Sequence, residues 1–429
     1  MCRFPFVIIA LLSITAPAFA QSKDPVPGKA PFPIAWGTAY HIMPGTHTDE
    51  SGYFSLNEGK NGKIYVGTAA YGFNAYLIEF DPKTGKQRIV IDTNKLCGLD
   101  VKGPTYAAQA KIHTRNFVGP SGKIYIGSKQ GYRREKDDTA DYPGGYVMVY
   151  DPETDKAENL SMPYKGEGVI DVIADEGRGI IYVVTCEEQH WMRYDVKTKK
   201  YRELGPLLTP YAATLLDSKG RAQAITKEFK LATYDPTTDK VALADITVDG
   251  KPLIAEPKLG PACWDVTADG KTAYMIRMSE AVLYQIDLSG DSKSVAARNL
   301  GKLIEGKNYD SRGSLIVGPD GKVHALVRVD NDTKFGTGYL HHLVTYDPAM
   351  KKATDHGVLA VKNPDFFDFG PGKDGKTKPW THGFHKLPDG TLTPLHAHMA
   401  LIQAKDGTFY ATIIYPFTLL KIEPKDIQQ

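Results

Sequence analysis

Asn61-Gly62-Lys63-Ile64-Tyr65 and, after a short apolar stretch, Phe80-Asp81-Pro82-Lys83-Thr84-Gly85-Lys86 decide the fold. The first is a tight turn feeding a strand. Gly tolerates the positive φ that a short hairpin demands, and the residues after it suit a pleated strand. The second is a longer hairpin whose Pro fixes φ at the first corner. Both recur. The first returns as Ser121-Gly122-Lys123-Ile124-Tyr125 and Arg178-Gly179-Ile180-Ile181-Tyr182, and degraded as Lys219-Gly220-Arg221. It appears again at Asp269-Gly270-Lys271, Asp320-Gly321-Lys322-Val323-His324 and Asp406-Gly407-Thr408-Phe409-Tyr410. The second returns at Tyr150-Asp151-Pro152, Tyr194-Asp195, Tyr234-Asp235-Pro236, Ile286-Asp287 and Tyr346-Asp347-Pro348.

Each unit therefore reads strand, Gly turn, strand, loop, strand, Asp-Pro hairpin, strand. Seven such four-stranded antiparallel units predict an all-β, seven-bladed β-propeller, with a repeat of ~58 residues that leaves room for loops. The last unit lacks a fourth strand. Residues 35–42, ahead of the first unit, have strand character and are predicted to supply it, so that the N-terminal strand closes the ring and covers its edges. Two insertions break the rhythm: 129–145 inside the second unit, and 355–395 between the sixth and seventh units. The second insertion carries Trp380, His382 and His385. Loops this long in a compact repeat are commonly functional.

Around this frame, the 429 residues carry a net charge of +2, with 24% charged and 42% hydrophobic side chains, which is a folded composition. The 41 Gly, 28 Pro and 24 Tyr fit many short strands and turns. A charge so near zero argues against a nucleic-acid partner. Arg3, the apolar run 6–14 and Ala18-Phe19-Ala20 read as a signal peptide over 1–20, leaving 21–429 as a single exported domain, periplasmic or secreted. No later apolar run approaches ~20 residues, so no transmembrane segment is expected. The chain is read as a monomer. Cys97, Cys186 and Cys263 lie far apart without metal spacing and are expected to be buried free thiols.

Aligning the units locates a candidate site. Nine residues before each turn glycine stand Tyr53, His113, Ile170, Tyr211, Pro261, Arg312 and His398. Two residues earlier, on the same strand side, lie Lys111, Asp310 and His396. In a closed ring these positions converge at one channel mouth. His and Tyr exchange protons near neutrality once tuned, and Arg neutralises a carboxylate. A base, an acid and a carboxylate neutraliser are what β-elimination from a uronic-acid sugar requires. His113, Tyr211, Arg312 and His398 are the expected catalytic residues. Tyr53, Lys111, Tyr132, Arg133, His190 and Trp191 are the expected substrate contacts, with Trp380 and Tyr142 as further stacking platforms. The insertion carrying Tyr132, Arg133 and Arg134 is expected to fold over His113. His324 aligns with the strand tyrosines of other units and reads as structural, and Glu187, Glu188 and Glu228 keep hydrolysis open.

His396-Ala397-His398 sets two imidazoles on one strand face, about 6.6 Å apart by strand rise, a workable metal-ligand spacing. With Asp406-Gly407 after it, this stretch resembles the His-x-His and turn of oligogalacturonate lyases. The resemblance covers about a dozen residues besides the architecture. It implies β-elimination on a pectic oligomer and a divalent metal, Mn, held by histidines and a glutamine. Thr393 stands where that glutamine would be, and His382 and His385 are the candidates for the family's further histidine. The whole chain also resembles secreted bacterial propellers with YVTN, SMP-30-like or quinoprotein-like repeats, which implies fold alone. A lactonase of the SMP-30 type would want calcium, for which Asp310, Asn116 and Asp171 are the available ligands. A metal here, if one binds, is therefore Mn or Ca on His396 and His398. The expected function is an exported polysaccharide lyase acting on a uronic-acid polysaccharide or oligosaccharide. The alternative is a non-catalytic glycan- or protein-binding propeller.

Overall fold

The computed structural model describes residues 29–48, 54–133, 140–211, 213–290, 294–312, 314–371, 375–376, 383–396 and 399–427. The chain runs as successive antiparallel meanders. Leu56–Glu58, Ile64–Gly67, Tyr76–Phe80 and Gln87–Asp92 hydrogen-bond in order. Phe117–Val118, Ile124–Lys129, Val147–Asp151 and Lys156–Asn159 follow, and Lys111–Ile112 pairs with the far end of Ile124–Lys129. Gly168–Asp175, Ile180–Cys186, His190–Asp195 and Lys200–Leu207 make the next. Then come Leu215–Leu216, Ala222–Ile225, Lys230–Asp235 and Lys240–Val248, and Ala262–Val266, Thr272–Arg277, Val282–Asp287 and Ser294–Lys302. The last two are Ile316–Val317, Val323–Asp330, Tyr339–Asp347 and Lys352–Val361, and Leu401–Gln403, Phe409–Ile413 and Thr418–Ile422.

The seam between the chain ends forms as the sequence predicts. Ile34–His41 pairs antiparallel with Thr418–Ile422, from Thr38 opposite Lys421 to His41 opposite Thr418. Its first half does more: Ile34 to Gly37 pair in parallel with Val358 to Val361. That second ladder corrects the insertion boundary. The outer strand of the preceding meander runs on to Val361, because Val358, Leu359, Ala360 and Val361 are all buried beneath the N-terminal strand.

Two repeated features hold neighbouring meanders together. The strand tyrosine after the turn packs on a tyrosine of the next meander, Tyr65 on Tyr150 and Tyr182 on Tyr234, each with ring centroids 6.0 Å apart. The glycine closing the Ile-Tyr-x-Gly run is required by close approach. A Cβ on Gly67 would lie 2.6 Å from Ile112, and one on Gly127 would lie 2.2 Å from Val169, each in the following meander. The inner strands enclose a central cavity of about 300 Å³, lined by residues 54, 56–57, 115–117, 171–173, 214–215, 265–266, 315–318 and 400–403. Arg115 crosses it toward Asp171 (3.9 Å) and donates to the Trp264 carbonyl (3.3 Å). No helix among the described residues is long and apolar enough to cross a membrane.

Candidate functional site

At one end of the cavity, residues from distant parts of the chain meet. Phe54 sets its ring edge against both His113 (centroids 4.9 Å, 87°) and Tyr211 (5.2 Å, 86°), and His113 and Tyr211 lie 6.4 Å apart. His113 is fixed by the strand before it. Ile112 N–H donates to the Thr68 carbonyl (3.0 Å), which ties this segment to the preceding meander. Asn116, three residues on, has φ 54° and accepts from Ser55 Oγ (2.8 Å), turning the chain down into the cavity. Tyr211 also has a positive φ, 67°, in a region that a side chain enters only when its surroundings force it. Its half-buried ring packs between the apolar cluster around Phe54 and the one around Cys263.

Charge gathers at the same place. Burial pushes the Tyr211 phenol up, and Arg312 and then Lys129 pull against it. Arg312 is clamped by Asp310, which accepts from Nη2 (2.9 Å), Nε (3.3 Å) and the backbone N–H (3.2 Å). Arg328 Nη2 reaches the same carboxylate at 3.6 Å. Lys129 ends its strand with Nζ 2.9 Å from Cys186 Sγ and 3.9 Å from the Glu187 carboxylate. Glu187 sits at φ 122° and Gln189 at φ 62°. Glycine would enter these conformations at little cost, whereas a side chain is strained in them.

His113, only 5% exposed, and Tyr211 thus sit beside Phe54 of the cavity lining, and Arg312 acts on Tyr211 through its charge. Tyr53, Arg134, Trp380, His382 and His398 lie outside the described residues. Among the described residues, the rings of Phe54 and Tyr211 lie against His113. Tyr132 of the insertion stacks edge-on to Tyr71 (5.5 Å) and is 66% exposed. Arg133 lies over the Tyr106 ring at 4.1 Å. Three expected contacts are corrected. Lys111 is buried, its Nζ donating to the Tyr71 hydroxyl (2.9 Å), so it props the aromatic pair from beneath. Trp191 is fully buried, with Nε1 donating to Thr214 Oγ1 (3.2 Å), and offers no stacking face. Tyr142 is likewise buried, donating to Gln109 Oε1 (2.7 Å). His190 is stacked on Tyr164 (4.1 Å, 14°) and held between Glu203 (2.7 Å) and Glu167 (3.4 Å). Its two ring nitrogens therefore already face carboxylates. His324, as expected, is buried in the blade, bonded to Thr345 Oγ1 (2.8 Å) and Asp320 (3.0 Å).

Sequence alignment of the turns missed Lys129, Cys186 and Arg328. A signal for them exists: each lies seven residues after its turn glycine, Gly122, Gly179 or Gly321. Of the two expected metal ligands only His396 is among the described residues, and His396 and His385 both act through their charge on His341. His396 lies against the Tyr415 ring (5.4 Å), and His341 Nδ1 meets the Pro394 carbonyl (3.0 Å). Thr393 replaces the glutamine and has its hydroxyl buried. Among the described residues no three His, Cys, Asp or Glu side chains converge as an ion would need.

No protein-family model matches the sequence, and no curated protein matches it. Solved structures are similar in fold. A streptogramin B lyase structure superposes with a TM-score of 0.53 at 10% identity, over 90% of this chain and 98% of that one. The WD40 repeats of RRP9 give 0.54 at 9% identity, over 90% and 97%. U3-55K gives 0.53 at 9%, over 90% and 98%. All are β-propellers, and at these identities the likeness shows the fold.

Proposed function

We propose that the meanders form seven blades of one propeller, and that the chain is an exported lyase that breaks a uronic-acid glycan by β-elimination at the cavity mouth. The observation that carries this reading is the meeting of His113, Tyr211 and Arg312, three sequence-distant residues suited to base, acid and carboxylate neutraliser. His113 takes the C5 proton, acidified by the adjacent carboxylate. Arg312, preset by Asp310, meets that carboxylate as charge builds on it. Tyr211, whose raised pKa keeps its proton at neutral pH, gives it to the departing glycosidic oxygen at C4. Phe54 seats both rings. No step passes through a metal. One propeller of similar fold bears the name lyase, and the reading here extends that reaction class to a glycan. Residues 1–20 act as the export signal, and the protein works as a periplasmic or secreted monomer.

Exposed Tyr132 on Tyr71 favours a second reading, a binding surface without chemistry, because an exposed aromatic suits the apolar face of a sugar. A screen of uronate-bearing polysaccharides separates the two. A lyase yields the ultraviolet absorbance of an unsaturated uronate. Binding with no rise in absorbance on any uronan rejects the elimination.

A further inference from the structure

Two nucleophiles from adjoining meanders are held in contact at the rim of the mouth. Lys129 closes the strand Ile124–Lys129 and Cys186 closes Ile180–Cys186. Their Nζ and Sγ atoms lie 2.9 Å apart. Neither is sealed: Cys186 is 8% exposed and the Lys129 side chain 14%. The Glu187 carboxylate stands 3.9 Å from Nζ and 3.7 Å from Sγ. Buried Gln130 donates to that carboxylate (3.1 Å), while its own Oε1 is buried without a hydrogen-bond partner. A donor newly formed at this spot would find a waiting acceptor. The cationic neighbour favours the thiolate that a peroxide attacks, while burial works against it.

We infer that Cys186 and Lys129 are an oxidation-dependent crosslinking pair, closed by hydrogen peroxide or another small peroxide and opened by thiols. Peroxide first converts the thiol to a sulfenic acid: an S–O bond forms, the O–O bond breaks and water leaves. Lys129, whose raised pKa makes it an ammonium at the start, first gives a proton to solvent, and the amine lone pair then attacks sulfur. The S–N bond forms, the S–O bond breaks, and the hydroxide leaves as water with a proton from nitrogen. The sum is thiol, amine and peroxide giving a sulfenamide and two waters. Because the amine is already in contact, the second step is intramolecular and outruns further oxidation of sulfur. Two thiols restore both side chains and leave as a disulfide. The bridge would staple the two meanders and remove the Lys129 charge from beside Tyr211. Burial raises the Cys186 pKa, so the reaction should quicken with pH and still be climbing above the usual thiol range.

The experiment treats the folded full-length protein with hydrogen peroxide, digests it without reductant and reads peptide masses. The expected product joins the Lys129 and Cys186 peptides, lighter by two hydrogens than their sum, and disappears on adding dithiothreitol. Lys129→Arg, which keeps the charge but not the amine, and Cys186→Ser should each abolish it, with Lys129→Arg letting Cys186 pass to sulfinic acid. Cys186 found as sulfinic or sulfonic acid in the unaltered protein with Lys129 free would overturn the inference. An unmodified Cys186 while Cys97 is oxidised would do the same. Neither readout needs a substrate, so the result stands apart from the proposed lyase activity.

Discussion

The two ends of the inner hairpins are built on opposite terms. At the turn end every unit repeats: Gly62, Gly122, Gly179, Gly220, Gly270, Gly321 and Gly407 all hold a positive φ, between 65° and 94°. At the mouth end no single residue type recurs in every unit. The residues seven positions on are Ala69, Lys129, Cys186, Lys227, Arg277, Arg328 and Ile414. The turn end spends glycine to relieve strain, whereas the mouth end leaves strain on side-chain-bearing Tyr211, Glu187 and Gln189. Repetition builds the ring, and departure from it builds the site. Substitutions at the two ends should therefore fail in different ways.

The largest effect is expected within a blade. Trp191→Ala empties a fully buried position and should cost about 3–5 kcal/mol of stability, read as a lowered urea midpoint, with turnover per folded molecule unchanged. His113→Ala should do the reverse, lowering turnover roughly 10²-fold, about 2.7 kcal/mol in the barrier, with little change in melting temperature. If His113 merely braces Phe54, the melting temperature falls instead and turnover holds. Arg312→Ala should raise KM and lower kcat together, about tenfold each, because it meets charge in both ground and transition states. A KM change alone would move Arg312 out of the chemistry and into binding.

The smallest expected effect sharpens the contrast at the closing seam. Burial holds His341 well below its ordinary pKa and, with His47 nearby, lowers His41 to about 4; burial lowers His385 as well. The unfolded chain then binds more protons than the folded one below about pH 6.5, so stability is full above that value and declines as pH falls toward 4. Amide exchange in 34–41 and 418–422 should quicken over that window before the meander 168–207 responds. Uniform quickening across the chain would remove the seam as the acid-sensitive part.

The fold was legible because its turns are local: Gly and Asp-Pro announce themselves within five residues, and the missing last strand pointed to 35–42. Strand counting reached no further than proximity: it brought His113 and Tyr211 within 6.4 Å of each other, with the charge of Arg312 acting on Tyr211. It failed at His190 and Trp191. Neighbours on one strand face opposite sides, so both could not enter one site, and Trp191 went to the core. It failed at Lys111 because a two-residue strand gives no hint that Tyr71, forty residues earlier in the chain, will cover it. Lys129 and Cys186 went unseen because their meaning lies in a contact between meanders, which no single unit records.

The most direct test of the central claim is to degrade a uronan with the protein in ¹⁸O-labelled water and weigh the products. Elimination at the His113–Tyr211–Arg312 mouth predicts an unsaturated product free of ¹⁸O, one water lighter than the hydrolytic fragment, and lost in His113→Ala. A saturated product carrying ¹⁸O would contradict it, and so would unsaturated product formed undiminished by His113→Ala.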